Sequence, residues 1–124
     1  GHVRVYEYSN SSWAQVGSDI DAEAAGDFSG WSVSINSVGD RVAIGSVRND
    51  GTGSDAGHVR VYEYSNSSWT QVGSDIDGEA AGDESGNSVS INSDGNRVAI
   101  GASGNDGTGA DAGHVRIYEH SSGG

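Results

Sequence analysis

The sequence predicts an all-β fold made of antiparallel, four-stranded, propeller-blade-like repeats, with two 56-residue units and one extra strand. Three observations carry this. The chain repeats itself at a fixed step: Gly1–Tyr8 (GHVRVYEY) returns at Gly57–Tyr64, and again as GHVRIYEH at Gly113–His120, while residues 1–56 and 57–112 agree at 46 of 56 positions. A repeat this close means a fold built by reusing one unit. The apolar residues are also those that suit strands: Val, Ile, Tyr and Trp are present, whereas Leu, Met and Lys are absent. Finally, 21 glycines weaken any helix and punctuate the chain with turns.

Each unit reads as four short strands. The first is Trp31–Ile35, repeated at Asn87–Ile91, with Val and Ile on one face and Ser on the other. The tight turn Asn36–Gly39 follows, repeated at Asn92–Gly95, where Asp94-Gly95 suits a reversal because both residue types tolerate positive φ. The second strand is Arg41–Gly45 or Arg97–Gly101. A polar, Gly-rich loop, Asn105–Ala112 in the second unit, leads to the third strand, the GHVRVYEY segment. A short turn, Ser9–Ser12, joins it to the fourth strand, Trp13–Gly17 or Trp69–Gly73. An acidic link, Asp75–Glu84, closes the unit. Small residues on the first two strands let neighbouring sheets approach closely, and Tyr and Trp on the other two hold them apart. That widening is the geometry of a propeller blade, which must stack on neighbours to bury its faces.

These residues resemble the FG-GAP repeat of integrin-α-type β-propellers. Ser29-Gly30 and Ser85-Gly86 stand where that repeat has its Phe-Gly pair. Gly45-Ser46 and Gly101-Ala102-Ser103 stand at its Gly-Ala-Pro-like corner, and the GHVRVYEY strands at its Gly-aromatic strand. The resemblance covers nearly the whole chain and implies a propeller used for adhesion or for binding glycans. The corner lacks its Pro. The family's calcium loop between strands one and two is also missing, replaced by the four-residue turn, so that site does not carry over.

The repeat boundary falls inside a blade. Residues 1–56 hold strands three and four of one blade and strands one and two of the next; 57–112 repeat this; 113–124 add a single strand and a flexible tail. Two-bladed material cannot close a propeller, and unpaired strand edges invite another chain. The expected function is therefore structural: a non-enzymatic, extracellular or cell-surface repeat protein joining head to tail as a ring or filament. The duplicated third strand would make two ends compete for one place. The expected assembly residues are Phe28, Trp31, Val115, Ile117, Val3 and Val5, because Phe28 and Trp31 are apolar where the second unit has Glu84 and Asn87.

A net charge of −12 disfavours nucleic acid and anionic membranes as partners. No apolar run of about 18 residues suggests membrane insertion, and GHVRVYEY lacks the charged and apolar regions of a signal peptide. The absence of Cys excludes disulfides and thiolate metal sites. No catalytic motif of the G-x-S-x-G, H-E-x-x-H or P-loop type occurs, so no enzyme and no cofactor are expected. His2, His58 and His114 recur with the repeat and read as packing or strand-edge residues. The carboxylates Asp75, Asp77, Glu79, Asp83, Asp106 and Asp111 are candidate calcium ligands. Asn10 and Asn66 open N-glycosylation sequons. Tyr6, Tyr8 and Trp13, with Tyr62, Tyr64 and Trp69, suit either core packing or stacking on sugar rings.

Overall fold

The computed structural model describes residues 1–21, 28–47, 57–79, 82–102 and 113–120, and among them there is no helix. Twelve strands form in order: β1 (His2–Val3), β2 (Tyr6–Ser9), β3 (Ser12–Gln15), β4 (Ile20–Asp21), β5 (Ser29–Ile35), β6 (Arg41–Ser46), β7 (His58–Ser65), β8 (Ser68–Gln71), β9 (Ile76–Asp77), β10 (Ser88–Ile91), β11 (Arg97–Ala102) and β12 (His114–Glu119). All the paired strands run antiparallel. The central sheet has the order β5-β6-β7-β8, with β9 also on β7. On one side of it lie the two-stranded pairs β1-β4 and β2-β3, and on the other the sheet β10-β11-β12.

Register recurs with the sequence. Tyr8 opposes Trp13 as Tyr64 opposes Trp69, and Val42 opposes Tyr62 as Val98 opposes Tyr118. The hairpins β2-β3 and β7-β8 turn on two residues each. Asn10 and Ser11, and likewise Asn66 and Ser67, have φ between 51° and 67°, the positive values that a two-residue hairpin matching strand twist demands. In the β5-β6 turn, the Asn36 Oδ1 accepts from the amides of Asp40 and Arg41 at 3.0 and 2.9 Å. The fourth strand of the unit extends beyond its expected end. After Gly17 and Gly73, both at φ 72°, the chain bends and resumes pairing as β4 and β9.

Successive side chains of a strand point to opposite faces, and β6 uses both. Val42 and Ile44 join Val3 and Ile20 in one apolar cluster, flanked by Tyr62 and Trp69. Ala43 joins Val59, Val98 and Ile100 in another, flanked by Val61, Ile76, Val89, Ile91 and Tyr118. The middle of the central sheet, around β6, is thus covered on both faces. Small residues bring β6 and the start of β10 together: a Cβ on Gly45 would collide with the Gly86 carbonyl, which also accepts from Ser32 Oγ at 2.6 Å. A second tie is the Ile91 amide donating to Ser34 Oγ at 3.1 Å. Along β8 a large group fills the space instead. The Trp69 indole lies over Gly17, where a Cβ would stand 2.8 Å from the ring, and its Nε1 donates to the Val16 carbonyl at 2.8 Å.

Val59 and Val115 occupy equivalent strand positions, but Val59 is 0% exposed and Val115 67%. Val59→Ala should therefore lose about 2 kcal/mol of stability through lost transfer energy and a residual cavity. In dilute protein Val115→Ala should change it by less than about 0.5 kcal/mol. Denaturant titration of the two variants measures the contrast, and equal losses would contradict the stacking described.

Candidate functional site

Two features stand out on the described surface: a charged corner that recurs between strands three and four, and a set of exposed apolar side chains. The corner forms because β7 and β9 pair His58 with Asp77, while the bend before β9 swings Asp75 beneath Arg60. Arg60 grips Asp75 with two contacts, Nε to Oδ1 at 2.8 Å and Nη2 to Oδ2 at 3.2 Å, a bidentate geometry well suited to carboxylate. Gln71 Nε2 donates to the same Oδ1 at 2.7 Å. His58, buried in the central sheet, places Nδ1 at 3.7 Å from Asp75 and 3.9 Å from Asp77. The same corner appears on the first pair of strands, more exposed, with Arg4 on Asp19 at 3.0 Å and Gln15 on Asp19 at 2.8 Å.

Partial burial opposes ionisation of Asp75, but hydrogen bonds from Arg60 and Gln71 outweigh it and hold the carboxyl below its ordinary value. The hydrogen bond with Asp75 in turn raises the Arg60 guanidinium further above its already high value. In the exposed copy, Gln15 and Arg4 lower Asp19 in the same direction.

The calcium candidates among the described residues do not converge on one place. Asp75 and Asp77 lie with His58, their ligand atoms within 4.8 Å of one another, a corner that could hold a small cation, although Arg60 already neutralises Asp75. His2, Asp19 and Asp21 form the equivalent group. Glu79 pairs with Arg116, Asp83 is buried, and Asp106 and Asp111 lie outside the described residues. The histidine-carboxylate corner was not foreseen from the sequence. Its available signal was His and Asp recurring together at the same spacing, 2/19/21 and 58/75/77.

The expected assembly residues divide. Val115 and Ile117 are 67% and 73% exposed on the outer face of β12. Phe28 and Trp31 are also exposed, their rings stacked with centroids 5.9 Å apart, and Phe28 takes φ 61°, as its counterpart Glu84 takes 51°. Val5 is half-buried. Val3 is buried within the chain against Ile20, Val42 and Ile44. The aromatic set divides too: Trp69 packs inside, whereas Trp13 is 68% exposed and stands 5.2 Å from the exposed Tyr8. Asn10 and Asn66 sit on exposed hairpin tips. No helix among the described residues is long and apolar enough to cross a membrane.

Comparison with protein-family models gave no match. A search among curated proteins likewise gave none.

The ion pair has a pH signature. A carboxyl whose folded pKa is depressed contributes stability that is present above its unfolded pKa, about 4, and is lost as pH falls through the folded value. Asp75→Asn should lower stability at pH 7 by roughly 1–3 kcal/mol, through loss of charge-assisted hydrogen bonds, and should flatten the decline below about pH 4. Denaturation midpoints from pH 7 to pH 2 test this; an unchanged acid limb in the variant would contradict the assignment.

Proposed function

We propose that the chain is a non-enzymatic, extracellular structural repeat protein of β-propeller type, akin to FG-GAP repeats, that associates with itself head to tail into a fibre or ring. One observation carries the reading. Side chains buried in the central sheet have exposed counterparts on the flanking strands, and on both sides of the stack. Val115 and Ile117 lie open on one side. Tyr6, Tyr8 and Trp13 lie open on the other, with Trp31, Val33, Ile35 and Val38 at the uncovered end of the central sheet. Exposed apolar faces of this kind mark contact surfaces. Because the two faces differ, one contact leaves another open, and growth continues until a ring closes or a filament forms.

Charge sets the conditions. At −12 per chain, copies repel over distances comparable to the Debye length, which shortens from about 30 Å at 0.01 M salt to about 8 Å at 0.15 M. The acidic surface and the sequons on exposed hairpin tips fit a saline, extracellular setting.

A second reading is a glycan-binding module, favoured by the exposed Tyr8–Trp13 pair, since aromatic faces suit sugar rings. Sedimentation velocity across protein and salt concentration, with electron microscopy of the same samples, separates the two. The structural reading expects mass to grow with concentration, more strongly at 0.15 M than at 0.01 M salt, and discrete rings or fibres. Monomers under all conditions that bind on a glycan array would replace it with the second.

A further inference from the structure

Between the central sheet and β10-β11-β12 lies a cleft of about 180 Å³, lined by Val61, Val72, Gly73, Ile76, Tyr118 and His120 among others. An apolar cavity of about 150 Å³ is large enough for a benzene ring, so this one suits an indole. Its walls are the repeat counterparts, 56 residues on, of those around Trp69. Val72 matches Val16, whose carbonyl accepts from the Trp69 Nε1. Gly73 matches Gly17, which the Trp69 ring covers. Tyr118 matches Tyr62, which packs, as Trp69 does, against the cluster of Val3, Ile20, Val42 and Ile44. Where a Cβ on Gly17 would meet the indole at 2.8 Å, one on Gly73 would meet nothing nearer than His120 at 3.6 Å. The cleft has the shape of a tryptophan site without the tryptophan.

We infer that this cleft receives the Trp13 indole of a second copy of the chain, an inference that rests on the self-association reading and names its contact. Trp13 is 68% exposed and sits on β3 within Ser12-Trp13-Ala14-Gln15-Val16-Gly17, where Trp69 sits on β8 within Ser68-Trp69-Thr70-Gln71-Val72-Gly73. Trp69 reaches its own site because β8 pairs with β7, which pairs with β6. Trp13 reaches the cleft by the same route when Gly1–Tyr8 of the second copy takes the place of Gly113–His120 on β11. Among the described residues β1 pairs only with β4 and β2 only with β3, so the other edge of that segment is open for β11. The two segments differ only at Val5/Ile117 and Tyr8/His120, so the exchange keeps the pairing and restores Tyr8 in the role that Tyr64 plays beside Trp69. Exchange of near-identical elements between copies is a low-cost route to association. The indole Nε1 donates to the Val72 carbonyl, and the ring closes over Gly73.

Two full-length variants test this. Trp13→Ala removes the donor, and Ser74→Trp fills the cleft from its exposed rim. Each alone should weaken association about 30-fold or more, the scale of a tryptophan hot spot, with the thermal midpoint of the monomer unchanged. Mixed, they should form one-to-one heterodimers that grow no further, since one open donor meets one open cleft. In Trp13→Ala, 3-methylindole should shift the amide resonances of Val72, Gly73 and Ile76 saturably. Association of Trp13→Ala equal to the parent's would overturn the inference while leaving self-association standing, and so would variants that fail to pair when mixed, or indole shifts that miss the cleft. A parent chain that stays monomeric would overturn both.

Discussion

A sheet with apolar residues on both faces must be covered twice, and among the described residues the chain does so around β6 of its central sheet. Burial of Val42 and Ile44 on one side and of Ala43 and Val59 on the other provides the driving force, since each fully buried aliphatic side chain contributes about 1.5–3 kcal/mol. The flanking strands supply the cover and have their own outer faces left over. Burial at the centre and exposure of the outer apolar faces of the described strands are therefore two consequences of one requirement.

The fit between layers depends on a division of labour along each unit. Gly45, Gly86 and the hydroxyls of Ser32 and Ser34 allow backbone to approach backbone. Trp69 occupies the space over β4 and the Gly17 bend, where Ile20 belongs to the same apolar cluster. The Arg60–Asp75 pair then fastens the bend before β9. Repeated in sequence, this arrangement repeats in space, and its unfilled copy is the cleft at Val72 and Gly73.

Much of the fold was legible because a 56-residue period states each strand twice. The assignment of Trp31–Ile35, Arg41–Gly45 and GHVRVYEY to strands needed only alternation and turn chemistry. The continuation of the fourth strand as β4 and β9 was not legible: two residues carry no periodicity, and Ile76-Asp77 reads as part of an acidic link. Nor could the sequence tell which carboxylate meets which cation. Asp75 looks like any other calcium candidate until the register sets it against Arg60 and His58. Exposure was the least legible property. Val3, Val59 and Val115 are the same residue in the same motif, and only the strands around each decide that the first two are buried and the third is open.

The central claim is that the outer faces are unfinished contact surfaces. Hydrogen exchange followed residue by residue across protein concentration tests it most directly. The amides of β6 and β7 should be protected at every concentration, because both their faces are covered within one chain. The amides of β2 and β3, a two-stranded pair exposed along its length, should be weakly protected in dilute protein and gain protection as concentration rises, in step with mass. Protection of β2 and β3 that is independent of concentration, while the protein remains a monomer, would contradict the account.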